Sequence, residues 1–261
     1  MQGLLCFDYD MTLLDHATWR VPESTLRAIS QMRPNWKIVM ATGRDMRQPE
    51  SRGGLSIIRP DALIHMNGAQ VWADGQILYE FSWPCDLQCR LLKFAAAHHI
   101  CVNTILDGVY YTTDPDRLQY LIYNTSRNAA LSIRPASALH DKPVNALSML
   151  GTPEQAALLE QSFPQVRVPL FAHKQGADII PQALSKAQGM RHLLDHYRLT
   201  FQQVIFFGDS GNDLELIRDA GLGIAMGNAI PEVKAAADYV TDPIDQDGVW
   251  NALRHFQLLP K

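Results

Sequence analysis

The sequence predicts an α/β protein, a Rossmann-like parallel sheet core interrupted by an inserted α+β unit. Three observations carry this expectation. Four short apolar runs each end in a small polar cluster, the pattern of strands buried on both faces whose carboxyl ends open on a ligand-binding edge. Between about residues 84 and 182 the alternation gives way to helical stretches and Asp-Gly hairpins, as in a separate α+β unit. From residue 184 the alternation resumes, so residues 1–83 and 184–261 form one domain and residues 84–183 a second, inserted one.

The first buried strand is Leu4-Leu5-Cys6-Phe7, and it runs into Asp8-Tyr9-Asp10-Met11-Thr12. A buried strand holds no charge in its interior, so Asp8 and Asp10 belong where it emerges. Residues two apart in extended chain point the same way, which lets the two carboxylates share a site. Like charges that close repel unless a cation lies between them, and Mg²⁺, a hard cation with oxygen ligands, is the simplest resolution. The pattern Leu26, Ile29, Met32 then reads as a helix, and Ile38-Val39-Met40-Ala41 as a second buried strand. Thr42-Gly43-Arg44 follows it, where a helix is expected to begin with a hydroxyl and a backbone N–H offered to an anion. Ala62-Leu63-Ile64 is a third strand leading into Asn67-Gly68, and Asp74-Gly75 joins two β-prone runs.

In the insert, Leu87, Leu91, Leu92 and Ala95 mark a helix. Asp107-Gly108 turns a hairpin, and residues 146–150, 166–168 and 177–180 read as strands. A helix from Pro153 to Phe163 starts near Thr152. Trp83, Phe94, Tyr110, Tyr111, Tyr120 and Tyr123 are expected to be core. After it, Ser185-Lys186 opens a helix through Met190, Leu193 and Leu194. The buried strand Val204–Phe207 ends in Gly208-Asp209-Ser210-Gly211-Asn212-Asp213, and residues 223–226 and 239–241 add two short strands.

Composition narrows the function. The chain has 261 residues, 47% hydrophobic and 19% charged, with net charge −4. No basic stripe points to nucleic acid or an anionic membrane, and no apolar run reaches the roughly 18 residues of a membrane span. The four cysteines form no ligand pattern for zinc, which leaves a reduced, cytoplasmic protein as the expectation. Carboxylates with neither cysteine nor histidine suit an octahedral oxygen-ligand site for Mg²⁺. A metal beside Thr42, Asn212 and a lysine is equipment for phosphoryl transfer. No Walker-type loop is present, and a carboxylate can attack phosphorus directly.

These segments resemble the haloacid dehalogenase (HAD) superfamily and, within it, the Cof-type phosphatases with a type IIB cap. Asp8-Tyr9-Asp10-Met11-Thr12 matches the first motif, DxDxT. Thr42 in Ala41-Thr42-Gly43-Arg44 matches the second, Lys186 the third and Gly208–Asp213 the fourth, GDxxND; Asn67-Gly68-Ala69 resembles the segment before the cap. The resemblance implies that Asp8 is nucleophile and Mg²⁺ ligand. It implies that Asp10 ligates through its backbone carbonyl while its side chain is general acid and base. Asp209 then ligates Mg²⁺, and Asp213 supports the metal or Lys186. Thr42, Gly43, Lys186, Asn212 and the backbone N–H of Tyr9 hold the phosphate. Met11, Tyr9 and Ala187 replace the family's common glycine, leucine and glycine, and none removes a functional group. The implied substrate is a small phosphorylated metabolite such as a sugar phosphate, the implied state a monomer or weak homodimer. A sugar-phosphate phosphomutase and a catalytically weak phosphate-binding regulator are the alternatives. The insert would act as a lid with hinges near Ser82-Trp83-Pro84 and Pro181-Gln182-Ala183.

Overall fold

The opening apolar run leaves no polar side chain to face solvent, and it folds accordingly. In the computed structural model, which describes residues 2–125, 132–139, 142–171 and 175–259, β1 (Gly3–Phe7) is buried along its whole length. Alternate residues of β1 face opposite ways: Leu5 and Phe7 enter one apolar layer, Leu4 and Cys6 the other. α1 (Glu23–Met32) buries Thr25, Ala28, Ile29 and Met32, the stripe a helix lays on a sheet. β2 (Trp36–Ala41) runs parallel to β1 with Cys6 opposite Val39.

The helix expected directly after Thr42-Gly43-Arg44 is not there; α2 (Pro49–Ile58) begins only at Pro49. The reason is Asp45. Its carboxylate accepts the Arg47 N–H at 3.0 Å and the Gln48 amide at 3.0 Å, and its carbonyl accepts the Gln48 N–H at 3.2 Å. That local turn competes with helix, and Pro49 fixes the later start. β3 (Ala62–His65) continues the parallel sheet; β4 (Gln70–Ala73) and β5 (Gln76–Glu80) then add antiparallel strands. Their turn is Asp74-Gly75, with φ of 49° and 83°, the left-handed pair of a tight hairpin.

The chain divides into two compact units, Met1–Glu80 with Leu184–Lys261, and Phe81–Ala183. The second unit contains α3 (Cys85–Ala97), β6 (Cys101–Leu106), β7 (Val109–Thr112), α4 (Pro115–Thr125) and β8 (Ile133–Pro135). It continues with β9 (Leu147–Leu150), α5 (Pro153–Ser162), β10 (Val166–Arg167) and β11 (Gly176–Pro181). Among the described residues its strands form one sheet in the order β10-β11-β9-β6-β7-β8. Asp107-Gly108 joins β6 to β7, and Thr152 closes a capping box with Gln155 at the start of α5. Trp83, Tyr111, Met149 and Leu159 centre its core, with Phe94 packed against them. Trp83 also donates its backbone N–H to Val144 O at 2.9 Å. Tyr120 departs from the expected core set, since it lies on the outer face of α4 and is 71% exposed. The side chain of Tyr123 falls outside the described residues.

The first unit resumes with α6 (Lys186–Tyr197), β12 (Val204–Gly208), α7 (Leu214–Asp219), β13 (Leu222–Ala225), α8 (Pro231–Ala236), β14 (Tyr239–Val240) and α9 (Gly248–His255). Its strand order among the described residues is β14-β13-β12-β1-β2-β3-β4-β5, parallel from β14 to β3. α1, α2 and α9 cover one face and α6, α7 and α8 the other, the doubly wound arrangement. No described helix is long and apolar enough to cross a membrane.

Candidate active site

β1, β2, β3 and β12 run parallel, so their carboxyl ends gather the polar clusters at one edge. Asp8 extends the ladder by one bond, its N–H donating to Phe207 O at 2.9 Å. Its side chain is buried, and Lys186 Nζ donates to its Oδ1 at 2.5 Å. Lys186 leads α6 because Ser185 caps that helix, its Oγ accepting the Gln188 N–H at 3.0 Å. The ammonium, with no exposed surface, also donates to Asp213 Oδ1 at 2.7 Å. Burial opposes its charge, but Asp213 and Asp8 outweigh this and hold the amine above the usual lysine value.

Asp213 is built in as a strut. Its second oxygen accepts the N–H groups of Asp209 and Ser210, both at 3.0 Å. Gly208 must be glycine, because a Cβ there would lie 2.7 Å from Asp213 Cγ. One oxygen each of Asp8, Asp209 and Asp213 lies within 4.8 Å of the others. Burial, with the charges of Asp213, Asp209 and Asp10, pushes the Asp8 carboxyl well up against the pull of Lys186. Burial and the Asp213 charge push the Asp209 carboxyl up to about 7. Thr12 Oγ1 donates to Asp209 at 3.3 Å. With Asp10, four carboxylates face two permanent cations, Lys186 and Arg44. A divalent cation would balance the remainder, and an all-oxygen donor set suits Mg²⁺.

Asp10 does not join that oxygen cluster. The strand ends at Phe7 and the chain bends at Tyr9, between the two aspartates, so the two-residue spacing no longer aligns the side chains. Arg44 instead grips Asp10 with two bonds, Nε to Oδ2 at 2.8 Å and Nη2 to Oδ1 at 2.6 Å; His16 Nε2 reaches Oδ1 at 2.6 Å. Burial raises this carboxyl, but the bonds and charge of Arg44 and His16 outweigh it and hold the group below the usual carboxylate value. The Arg44 guanidinium also lies 5.4 Å over the ring of buried Tyr9.

Thr42 is buried, and its Oγ1 accepts the Arg44 N–H at 3.1 Å, which leaves the hydroxyl proton to donate. Gly43 follows in the bend. Met66 and Asn67 both take left-handed φ, 51° and 55°, and so fold the end of β3 back: Met66 N–H donates to Arg44 O at 3.0 Å and Asn67 N–H to Thr42 O at 3.1 Å. Asn67 Oδ1 then accepts from Asn212 Nδ2 at 2.8 Å, which joins two strand-end clusters. Behind this loop, buried His65 accepts the Met46 N–H on Nδ1 at 3.3 Å, so the proton on Nε2 donates to Gln70 at 2.8 Å. Asp8, Lys186, Asp209 and Asp213 thus form one group, Thr42, Asn67 and Asn212 a second, and Asp10 stands with Arg44. Sequence reasoning assigned no role to Arg44 or Thr12 and did not find His16. A guanidinium two residues after Thr42 was a usable signal, whereas nothing near His16 in the sequence marks it.

Residues 5–253 match the family described as haloacid dehalogenase-like hydrolase. The chain is 27% identical over 267 residues to the 5-amino-6-(5-phospho-D-ribitylamino)uracil phosphatase YitU of Bacillus subtilis (strain 168), with 97% of each chain covered. It is 29% identical over 276 residues to an HMP-PP phosphatase of Yersinia pseudotuberculosis serotype I (strain IP32953), covering 100% of this chain and 97% of that one. Among solved structures, the HAD subclass IIB sugar phosphatase BT4131 is similar with a TM-score of 0.88 at 27% identity, covering 98% of this chain and 100% of that one.

Proposed function

We propose that this chain, which belongs to the haloacid dehalogenase-like hydrolase family as a Cof-type phosphatase of phosphate monoesters, is a Mg²⁺-dependent enzyme that hydrolyses small phosphorylated metabolites, sugar phosphates foremost, through an aspartyl phosphate on Asp8. The observation that carries the reading is the fully buried Lys186 between Asp8 and Asp213, with Asp209 alongside. A fold does not bury a lysine among three carboxylates for stability alone, because desolvating the charges offsets most of their attraction.

In the proposed reaction a carboxylate oxygen of Asp8 attacks phosphorus and the bond to the leaving alcohol breaks. Lys186, Thr42, Gly43, Asn212 and the Tyr9 N–H hold the phosphoryl oxygens. Asp10 gives its proton to the departing alkoxide. It then takes one from the water that attacks the phosphoaspartate, and inorganic phosphate leaves with Asp8 restored. In the arrangement described, Arg44 and His16 stabilise ionised Asp10, the form that activates water. To act first as an acid, Asp10 must part from Arg44. Mg²⁺, held by Asp8, Asp209 and the Asp10 carbonyl with Asp213 in support, would neutralise the phosphoryl oxygens and align the attack.

The relatives support small substrates: one is named for a sugar, another for a phosphoribitylaminouracil. The inserted unit, proposed as a specificity cap, would choose among them. The cysteines are free, and we place the protein in the cytoplasm as a monomer or weak homodimer. The test is a panel of phosphorylated metabolites assayed with Mg²⁺. Turnover of several small monoesters is expected, with none by folded Asp8→Asn, whose amide is a far poorer nucleophile. Near-normal activity in Asp8→Asn would sink the mechanism.

A further inference from the structure

We infer that Trp19, stacked on His16, is a platform for a ring in the leaving group of the substrate; the inference rests on the phosphatase reading above. The loop that carries it is built rather than slack. Bridges join Asp10 to Leu14 and Asp15 to Arg20. The buried Asp15 carboxylate accepts the Ala17 N–H at 2.8 Å and the Thr18 hydroxyl at 2.9 Å. The Trp19 N–H donates to Asp15 O at 2.7 Å. This frame holds Trp19 at φ of 54° with 66% of its surface exposed.

Both features work against the fold. Left-handed backbone at a residue with a Cβ costs roughly 1–2 kcal/mol, and an exposed indole returns little burial. Strain of this kind clusters at functional sites, and here it ends no helix, as it does at Arg59 and Arg198. The position of the indole names the ligand. Its ring packs parallel to His16, centroids 5.0 Å apart and planes 13° apart. His16 Nε2 in turn lies 2.6 Å from Asp10 Oδ1. The indole is therefore two contacts from the carboxyl that would protonate the leaving group. The groups proposed to hold phosphate treat every phosphomonoester alike, whereas a flat indole favours a ring, either the C–H face of a sugar or a heteroaromatic plane. His16 is the positioning residue that links platform to Asp10.

The experiment compares kcat/KM with Mg²⁺ for a ring-bearing ester, glucose 6-phosphate or nitrophenyl phosphate, with that for the acyclic acetyl phosphate. Trp19→Ala and Trp19→Asn remove the ring, and Asn tolerates left-handed φ; Trp19→Phe keeps a ring. Circular dichroism and melting check that each variant folds. The ring-to-acyclic ratio is expected to fall about 2- to 12-fold in both ring-less variants, through KM, and less in Trp19→Phe. An unchanged ratio with intact turnover would overturn the platform alone. No turnover of either compound by the unsubstituted protein would overturn the phosphatase reading and the platform with it.

Discussion

Asp209 shows at the residue scale what the crowd of carboxylates does. Burial comes first and the Asp213 charge second, and together they push its carboxyl up to about 7, against an unfolded value near 3.8. A carboxyl with a raised folded pKa favours the fold when protonated. Its contribution is complete below about pH 4 and is lost as pH rises through about 7. Metal-free Asp209→Asn is therefore expected to melt higher than the unsubstituted protein above pH 7, with the gap closing towards pH 4. Added Mg²⁺ should reverse the order at pH 7.5, since the cation supplies the charge that the carboxylates lack. Melting curves in chelator and in Mg²⁺ across this range check it; a gap independent of pH would mean that Asp209 is not charge-strained.

At the scale of elements, the N-terminus of α6 is placed by a close approach. Gly68 has φ of +92°, and a Cβ on it would lie 2.3 Å from Ser185 O. That carbonyl accepts the Gly189 N–H at 2.9 Å in the first turn of α6, the turn that carries Lys186. Gly68→Ala should cost at least about 1–2 kcal/mol through the left-handed backbone and lower kcat as Lys186 shifts from Asp8. Urea unfolding and steady-state kinetics measure both; a neutral effect on each would show that the approach is not needed. Much of this level was legible in the sequence. The runs at Leu4, Ile38, Ala62 and Val204 became the buried strands whose ends hold the site, and Thr152 and Ser185 cap the helices expected after them. What sequence reasoning missed depends on the path of the chain. The bend at Tyr9 parted the Asp10 side chain from Asp8, the Asp45 turn delayed α2, and His16 reached Asp10 through a loop that no period describes.

For the whole molecule, both apolar layers of the first unit come from residues outside the insert, so a chain with residues 84–182 replaced by a Gly/Ser linker is expected to fold. It should still turn over small activated phosphates such as acetyl phosphate while losing its ranking among metabolites, apart from the preference for rings proposed for Trp19. An unchanged ranking would remove the proposed cap from substrate choice. Whether Asp8 carries the phosphoryl group can be measured on the intermediate itself. Asp10→Asn should slow hydrolysis of the intermediate by roughly 10²–10⁴-fold and let it accumulate. That variant is mixed with labelled acetyl phosphate and Mg²⁺, quenched in acid and digested with trypsin. One phosphoryl label is expected on the peptide spanning residues 1–20, absent when Asp8 is also changed to Asn. Label on another residue, or labelled phosphate released with no labelled peptide at any time, would contradict it.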